Sequence, residues 1–379
     1  MFRERTVATL RSHLLAGESI VLTAEKRVGK TAVLAVLEAS SGDDLLILRR
    51  DVEGIGSPKR LVEVLCNDLY PHLGAKTKAA NRFNSLLERL GHTSIGPITL
   101  PAFEPKDWRV HLEELFAAVA EHLEGRPLAL LWDEAPWMVE KVRRDTDWQT
   151  AADLLDELRA IRQRHPTIRF LFTGSIGFHH VLRDLRDGAS HLSAINDMRK
   201  EELPPLATDD AVELARALMR WSAANRGASF ADDHAVAARI AERCEGIPWF
   251  IHATVDDLPQ RDAPIDVEDV DRVIEAARMA SADGWELRHY VDRLDEYYGD
   301  RAELAGEVLD AVAVRDGATP DEILGDLAHS GPPPARRELT DLLRLLHQDH
   351  YLSHEAPRWR FTYELIRDAW VELRDLEPT

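Results

Sequence analysis

The segment Ser19-Ile-Val-Leu-Thr-Ala-Glu-Lys-Arg-Val-Gly-Lys-Thr31 constrains this chain more than any other. A short apolar run ends in a turn, and Gly29-Lys30-Thr31 then opens a helical pattern bearing Val33, Leu34, Val36 and Leu37. A strand, a turn and a helix start in that order make a phosphate-binding P-loop. Backbone N–H groups of the turn and the helix start converge on one place, where the helix dipole also favours an anion. In such a loop Gly29 permits close approach of the backbone, and Lys30 bridges the β- and γ-phosphates of ATP. The Thr31 hydroxyl holds Mg²⁺. Ala24, Glu25, Lys26, Arg27 and Val28 complete the expected ATP-binding set, with Ala32 following in the first helical turn. Ala24 stands where the pattern G-x-x-x-x-G-K-[ST] has its first glycine. Alanine suits that turn only with a negative φ.

A second motif lies in Pro127-Leu-Ala-Leu-Leu-Trp-Asp133-Glu134. Four apolar residues and a tryptophan predict a buried strand, and two carboxylates emerge at its carboxyl end. Open α/β sheets bind their ligands beyond that end of the strands. Asp133 is placed to hold Mg²⁺ through water, and Glu134 to orient a water for attack on phosphorus. A third apolar run, residues 168–172, ends in Thr173-Gly174-Ser175. Thr173 and Ser175 offer hydroxyls to the γ-phosphate or the attacking water, or else cap the helix that follows. A serine-hydrolase elbow is discounted, because it needs G-x-S-x-G and Thr173 occupies the position of the first glycine.

Around these motifs, short apolar runs at residues 19–23, 45–48, 128–132 and 168–172 alternate with helical patterns such as 31–39 and 151–163. Such alternation predicts an open parallel sheet covered by helices. From Asp209 the strands stop, and helices are expected at 209–222, 234–244 and 266–279, with a proline-bounded break at 259–264. Beyond Glu303 a helix at 303–313 precedes Thr319-Pro320-Asp321-Glu322, a capping box with proline at the first helical position. Residues 338–347 place Leu339, Leu342, Leu343 and Leu346 on one face. Residues 351–362 fit a β-hairpin and 363–373 a closing helix, which together read as a winged helix-turn-helix.

Together these residues resemble the archaeal-type ATPases of the STAND/AAA+ group, which are also similar to origin-recognition ATPases. The resemblance runs across nearly the whole chain. Its signs are Lys26-Arg27 ahead of the loop glycine, Asp51-Val52-Glu53 after the second strand, and Gly174-Ser175 at a strand end. Arg199 before Leu203-Pro204-Pro205-Leu206, and Gly246-Ile247-Pro248 further on, complete them. The resemblance implies an α/β P-loop NTPase with a parallel-sheet core at residues 1–206. It also implies an all-helical lid at 207–290 and a winged helix at 291–379. It makes Arg199 an arginine finger for a neighbouring subunit's site, and sets Pro248 against the adenine. The activity implied is a slow or partner-stimulated ATPase that acts as a molecular switch.

Charge narrows the partners. Sixty-seven acidic against 47 basic residues give a formal charge of −20, and the chain from Arg301 onward has nine arginines, no lysine and sixteen acids. A DNA-reading winged helix sits on a basic footprint, so a protein partner or a homo-oligomer is favoured over duplex DNA. A DNA loader or regulator stays open as the alternative, beside a small-molecule kinase and a scaffold without turnover. Two cysteines, Cys66 and Cys244, allow no disulfide framework, and a reduced, cytoplasmic location is expected. Arg3, Glu4, Arg5 and Arg11 interrupt the first seventeen residues, so no signal-peptide core is expected there. No apolar run reaches the ~20 residues of a membrane span. The histidines His179, His180, His347, His350 and His354 lack the spacing of a metal site.

Overall fold

The runs at residues 128–132 and 168–172 become the two most buried strands. In the computed structural model, which describes residues 2–72, 107–174, 177–186, 194–259, 263–280 and 283–377, strand β1 is Ile20–Thr23 and β2 is Leu46–Asp51. Strand β3 is Leu128–Asp133, β4 is Ile168–Thr173 and β5 is Arg199–Glu202. They form one sheet in the order β2-β3-β4-β1-β5, every pairing parallel. All six residues of β3 and all six of β4 are buried. Parallel strands covered on both faces are largely apolar, and the buried Arg169 of β4 is accommodated by donating to the Thr167 carbonyl at 2.9 Å.

Aromatic rings lock these two strands together. Trp132 and Phe172 stack at 5.5 Å between centroids, and Phe170 meets Trp132 edge-on at 5.1 Å. Helices Glu4–Leu15, Lys30–Ala39, Pro58–Leu69, Trp108–His122, Ala135–Asp145, Trp148–Arg164 and Phe178–Arg186 accompany the sheet.

Strand β5 was not expected, since its sequence is Arg-Lys-Glu-Glu and carries no apolar signal. It exists because β1 would otherwise be an open edge. Arg199 N donates to Ser19 O and Leu203 N to Thr23 O, both at 2.8 Å. Charged side chains then suit the outer rim, where a further strand must not pair. At the other rim β2 likewise runs three residues past its apolar run, through Arg49, Arg50 and Asp51.

Contacts divide the chain into two compact units. One comprises Arg3–Thr23 and Lys30–Leu203, and contains the sheet. The other joins the short loop Ala24–Gly29 to the chain from Pro204 onward. In this second unit helices Thr208–Arg226, Asp233–Arg243, Pro248–Asp257 and Val267–Met279 come first. Helices His289–Tyr298, Ala302–Val314, Pro320–Ser330 and Arg336–Gln348 follow. The antiparallel pair β6 (Leu352–Glu355) and β7 (Arg358–Phe361) then leads into Glu364–Leu373.

Local chemistry starts these helices where it should. The capping box forms between Thr319 and Glu322, and a second one forms between Asp266 and Asp269. Helix Arg336–Gln348 buries Leu339, Leu342, Leu343 and Leu346. His347 and His354 are absorbed into this packing: His347 Nδ1 lies 2.8 Å from the Leu352 carbonyl, and His354 stacks on Trp359. Among the described residues, no helix is long and apolar enough to cross a membrane.

Candidate nucleotide site

Strand β1 ends at Thr23 and the next helix begins at Lys30, so six residues make the turn. Two of them have positive φ, Gly29 at 100° and Arg27 at 72°. Gly29 is therefore required by its own backbone, since an added Cβ would meet nothing within 4 Å. Ala24 is not among the positive-φ residues. The condition for an alanine at the first glycine position is met. Lys30 is buried, 8% exposed, at the first position of its helix, and Val28 is fully buried.

The sheet order brings the second motif to the first. Asp133 ends β3 and is 5% exposed, and its Oδ2 accepts a hydrogen bond of 2.8 Å from the Thr31 hydroxyl. Asp51 lies opposite Asp133 in the β2–β3 register, and Val52 N donates to the Asp133 carbonyl at 3.0 Å. The acids after the second strand therefore stand beside those after the third.

Glu134 adopts the left-handed conformation, φ 57° and ψ 35°, at the start of helix Ala135–Asp145. A non-glycine residue there is uncommon and turns its side chain sharply off the strand line. Strand β4 separates β3 from β1, so Thr173 at its end stands between the acids and Thr23. Thr173 is 1% exposed, and its hydroxyl makes no hydrogen bond among the described residues. Gly174 follows where a Cβ would lie 2.7 Å from Pro136 Cδ and 3.3 Å from Glu134 Oε2. Only glycine lets β4 pass that close. Ser175 lies outside the described residues.

Arg199 is not brought to its own chain's loop. It opens β5 opposite Ile20, whereas the chain leaves β1 at Thr23, opposite Glu202. That separation is about 10 Å along the strand. Its guanidinium pairs with Glu201 and, at 3.2 Å, with Glu18. The Gly-x-Pro segment is built as a tight junction. Gly246, φ 70°, accepts a 2.9 Å bond from Leu206 N, and a Cβ on it would come 2.3 Å from the Leu206 carbonyl. Pro248 then starts helix Pro248–Asp257, and the Arg27 guanidinium lies 5.5 Å from the ring of Trp249.

One set of contacts had no forecast in the motifs. Three consecutive loop residues are held from the segment 285–293. Arg27 donates to the Trp285 carbonyl at 2.8 Å and pairs with the Glu286 carboxylate. Lys26 Nζ donates to His289 Nε2 at 3.0 Å. Glu25 accepts from Arg293 at 3.1 Å. Burial, followed by the nearby Lys26, Arg293 and Arg27 charges, lowers the His289 pKa to about 4. It stays neutral and can accept from Lys26. The one hint in the sequence was Glu25 itself, an acid inside a loop built for anions.

No protein-family model matches this chain, and no curated protein matches it by sequence. Solved structures do match its fold. The Walker-type ATPase of Pyrococcus abyssi is similar over 98% of this chain and 96% of its own, with a TM-score of 0.65 and 18% identity. The ORC2 protein of Aeropyrum pernix, in ADPNP and ADP complexes, is similar over 98% and 94%, with a TM-score of 0.53 and 12% identity. The chain therefore has the α/β P-loop NTPase fold that it shares with these two proteins.

Proposed function

We propose that this protein binds MgATP at the loop Ala24–Thr31 and hydrolyses it, acting as a nucleotide-operated switch. The observation that carries the reading is the 2.8 Å contact between the Thr31 hydroxyl and the Asp133 carboxylate, one residue after buried Lys30. Two hard oxygen donors side by side suit Mg²⁺, which when bound offsets charge on the β- and γ-phosphates. Loop N–H groups and Lys30 hold the phosphates. Glu134 orients the attacking water and accepts its proton, and the Thr173 hydroxyl, buried and without a hydrogen bond among the described residues, donates to the γ-phosphate or the water. Ser175 is offered the same part.

Around that centre, Pro248 packs on the adenine and Arg199 completes the site of a neighbouring copy. The lid at 207–290 and a winged helix at 291–379 relay the nucleotide state to a protein partner or to the oligomer. Duplex DNA ranks second for a specific reason. Arg315, Arg336, Arg344, Arg358, Arg367 and Arg374 are each ion-paired to carboxylates of the same C-terminal segment. Phosphates of DNA would have to displace those carboxylates.

Calorimetric titration with MgATP, run beside a phosphate-release assay, tests the assignment. Lys30→Ala should abolish binding, whereas Glu134→Gln should retain binding and lose turnover. Unchanged affinity in the first variant sinks the loop assignment. Wild-type turnover in the second removes Glu134 from the chemistry.

A further inference from the structure

Glu25 puts a negative charge inside a loop that, on the reading just given, must receive phosphates. Uncompensated, that charge would oppose them at short range in a poorly solvated place. The fold supplies the compensation from a residue far along the chain. Arg293 Nη1 donates to Glu25 Oε1 at 3.1 Å, and the two residues are only 3% and 2% exposed. The same Oε1 accepts the Lys26 backbone N–H at 2.8 Å, so the carboxylate also fixes the loop backbone. Arg293 Nε donates to the Tyr351 hydroxyl at 2.6 Å, and that hydroxyl donates to the Tyr290 carbonyl at 2.7 Å. The guanidinium lies over both rings, 4.1 Å from the Tyr351 centroid and 4.6 Å from that of Tyr290. Aromatic faces make a buried cation tolerable. Tyr351 immediately precedes β6, so the chain of contacts runs from the loop to the C-terminal hairpin.

We propose that Arg293 is a positioning residue for the phosphate loop, cancelling the Glu25 charge and holding the loop backbone through it. Tyr351 ties that ion pair to the C-terminal segment. ATP affinity then depends on how this segment packs, and by reciprocity ATP strengthens its packing. The proposal rests on ATP binding at Ala24–Thr31.

MgATP titrated calorimetrically into the full chain tests it, with thermal melts confirming that each variant is folded. Arg293→Met exposes the Glu25 charge to the incoming phosphates and should weaken binding about tenfold or more, the scale of a lost charged hydrogen bond. The double variant Glu25→Gln/Arg293→Met removes the charge as well but keeps the backbone N–H by which residue 25 belongs to the phosphate loop, and should return affinity to within about threefold of wild type. A loss of packing alone would not be repaired by altering the second partner. Tyr351→Phe leaves both charges in place but frees the pair, and should weaken binding by about three- to tenfold. Should Arg293→Met fail to fold, the double variant and Tyr351→Phe decide the matter by the same numbers. Wild-type affinity in Arg293→Met or in Tyr351→Phe overturns the inference alone, as does a double variant that binds ten times more weakly than wild type. No ATP binding by the wild-type chain overturns both this and the proposed function.

Discussion

Gly174→Ala tests whether the close passage of β4 over the acidic motif sets the position of Glu134. The added Cβ would sit 2.7 Å from Pro136 Cδ, 3.1 Å from Pro136 Cγ and 3.3 Å from Glu134 Oε2. Ordinary carbon contacts lie at ~3.5–4.0 Å, so roughly 0.8 Å or more of overlap must be relieved. Pro136 cannot swing aside as a flexible side chain could. It is a ring in the first turn of helix Ala135–Asp145, anchored where Met138 N donates to the Glu134 carbonyl at 3.1 Å. The backbone of Gly174 does not have positive φ, so crowding is the whole penalty. Overpacking of this kind costs ~1–3 kcal/mol, partly offset by the ~0.4–1 kcal/mol an alanine gains over glycine through the unfolded chain. The melting temperature should fall by about 2–4 °C for each kcal/mol that remains. The displacement lands on Glu134 and not on Lys30. Turnover should therefore drop ~10–100-fold while ATP affinity holds within about threefold. Pro136→Ala in the same chain should restore both stability and turnover, because it removes the atoms in conflict. Unchanged melting and unchanged turnover in Gly174→Ala would refute the steric reasoning, and so would a failure of Pro136→Ala to rescue.

Other expectations follow from single groups. His289 has a folded pKa of about 4 against ~6.5 unfolded, so the unfolded chain takes up its proton first. Stability should fall as pH drops from about 6.5 to 4, by ~1–2 kcal/mol because the half-buried ring is partly screened, and His289→Asn should flatten that part of a melting-versus-pH curve. Burial pushes the Cys66 and Cys244 thiols up to about 12. Neither should react with a maleimide at pH 8 in the native protein, and both should label in denaturant; rapid native labelling would contradict the packing around them. Arg199→Ala should leave ATP affinity unchanged and lower turnover, by up to ~10³-fold if the residue serves a neighbour's site. Turnover per subunit should then rise with protein concentration in the wild type, and concentration-independent turnover would leave Arg199 as a rim charge paired with Glu18 and Glu201.

The amino-acid sequence by itself determined the strand, loop and helix around Gly29-Lys30-Thr31, the acids after β3, and most helix starts. These features are local. A strand buried on both faces is largely apolar, as Leu128–Trp132 is, and a capping box such as Thr319 with Glu322 satisfies orphan N–H groups within four residues. Charged β5 was illegible because its partner is the edge of β1, about 180 residues earlier, and not its own side chains. The left-handed turn at Glu134 and the need for glycine at 174 arise where two strand ends crowd one another, so neither leaves a periodic signal. Tertiary structure alone decided what Glu25 does. Read locally it is an acid misplaced in an anion-binding loop. Its counter-charge, Arg293, lies 268 residues away and reaches it only because the fold buries both side chains together. Spacing and propensity describe neighbours along the chain, whereas a buried charge is stabilised by whatever the fold brings beside it.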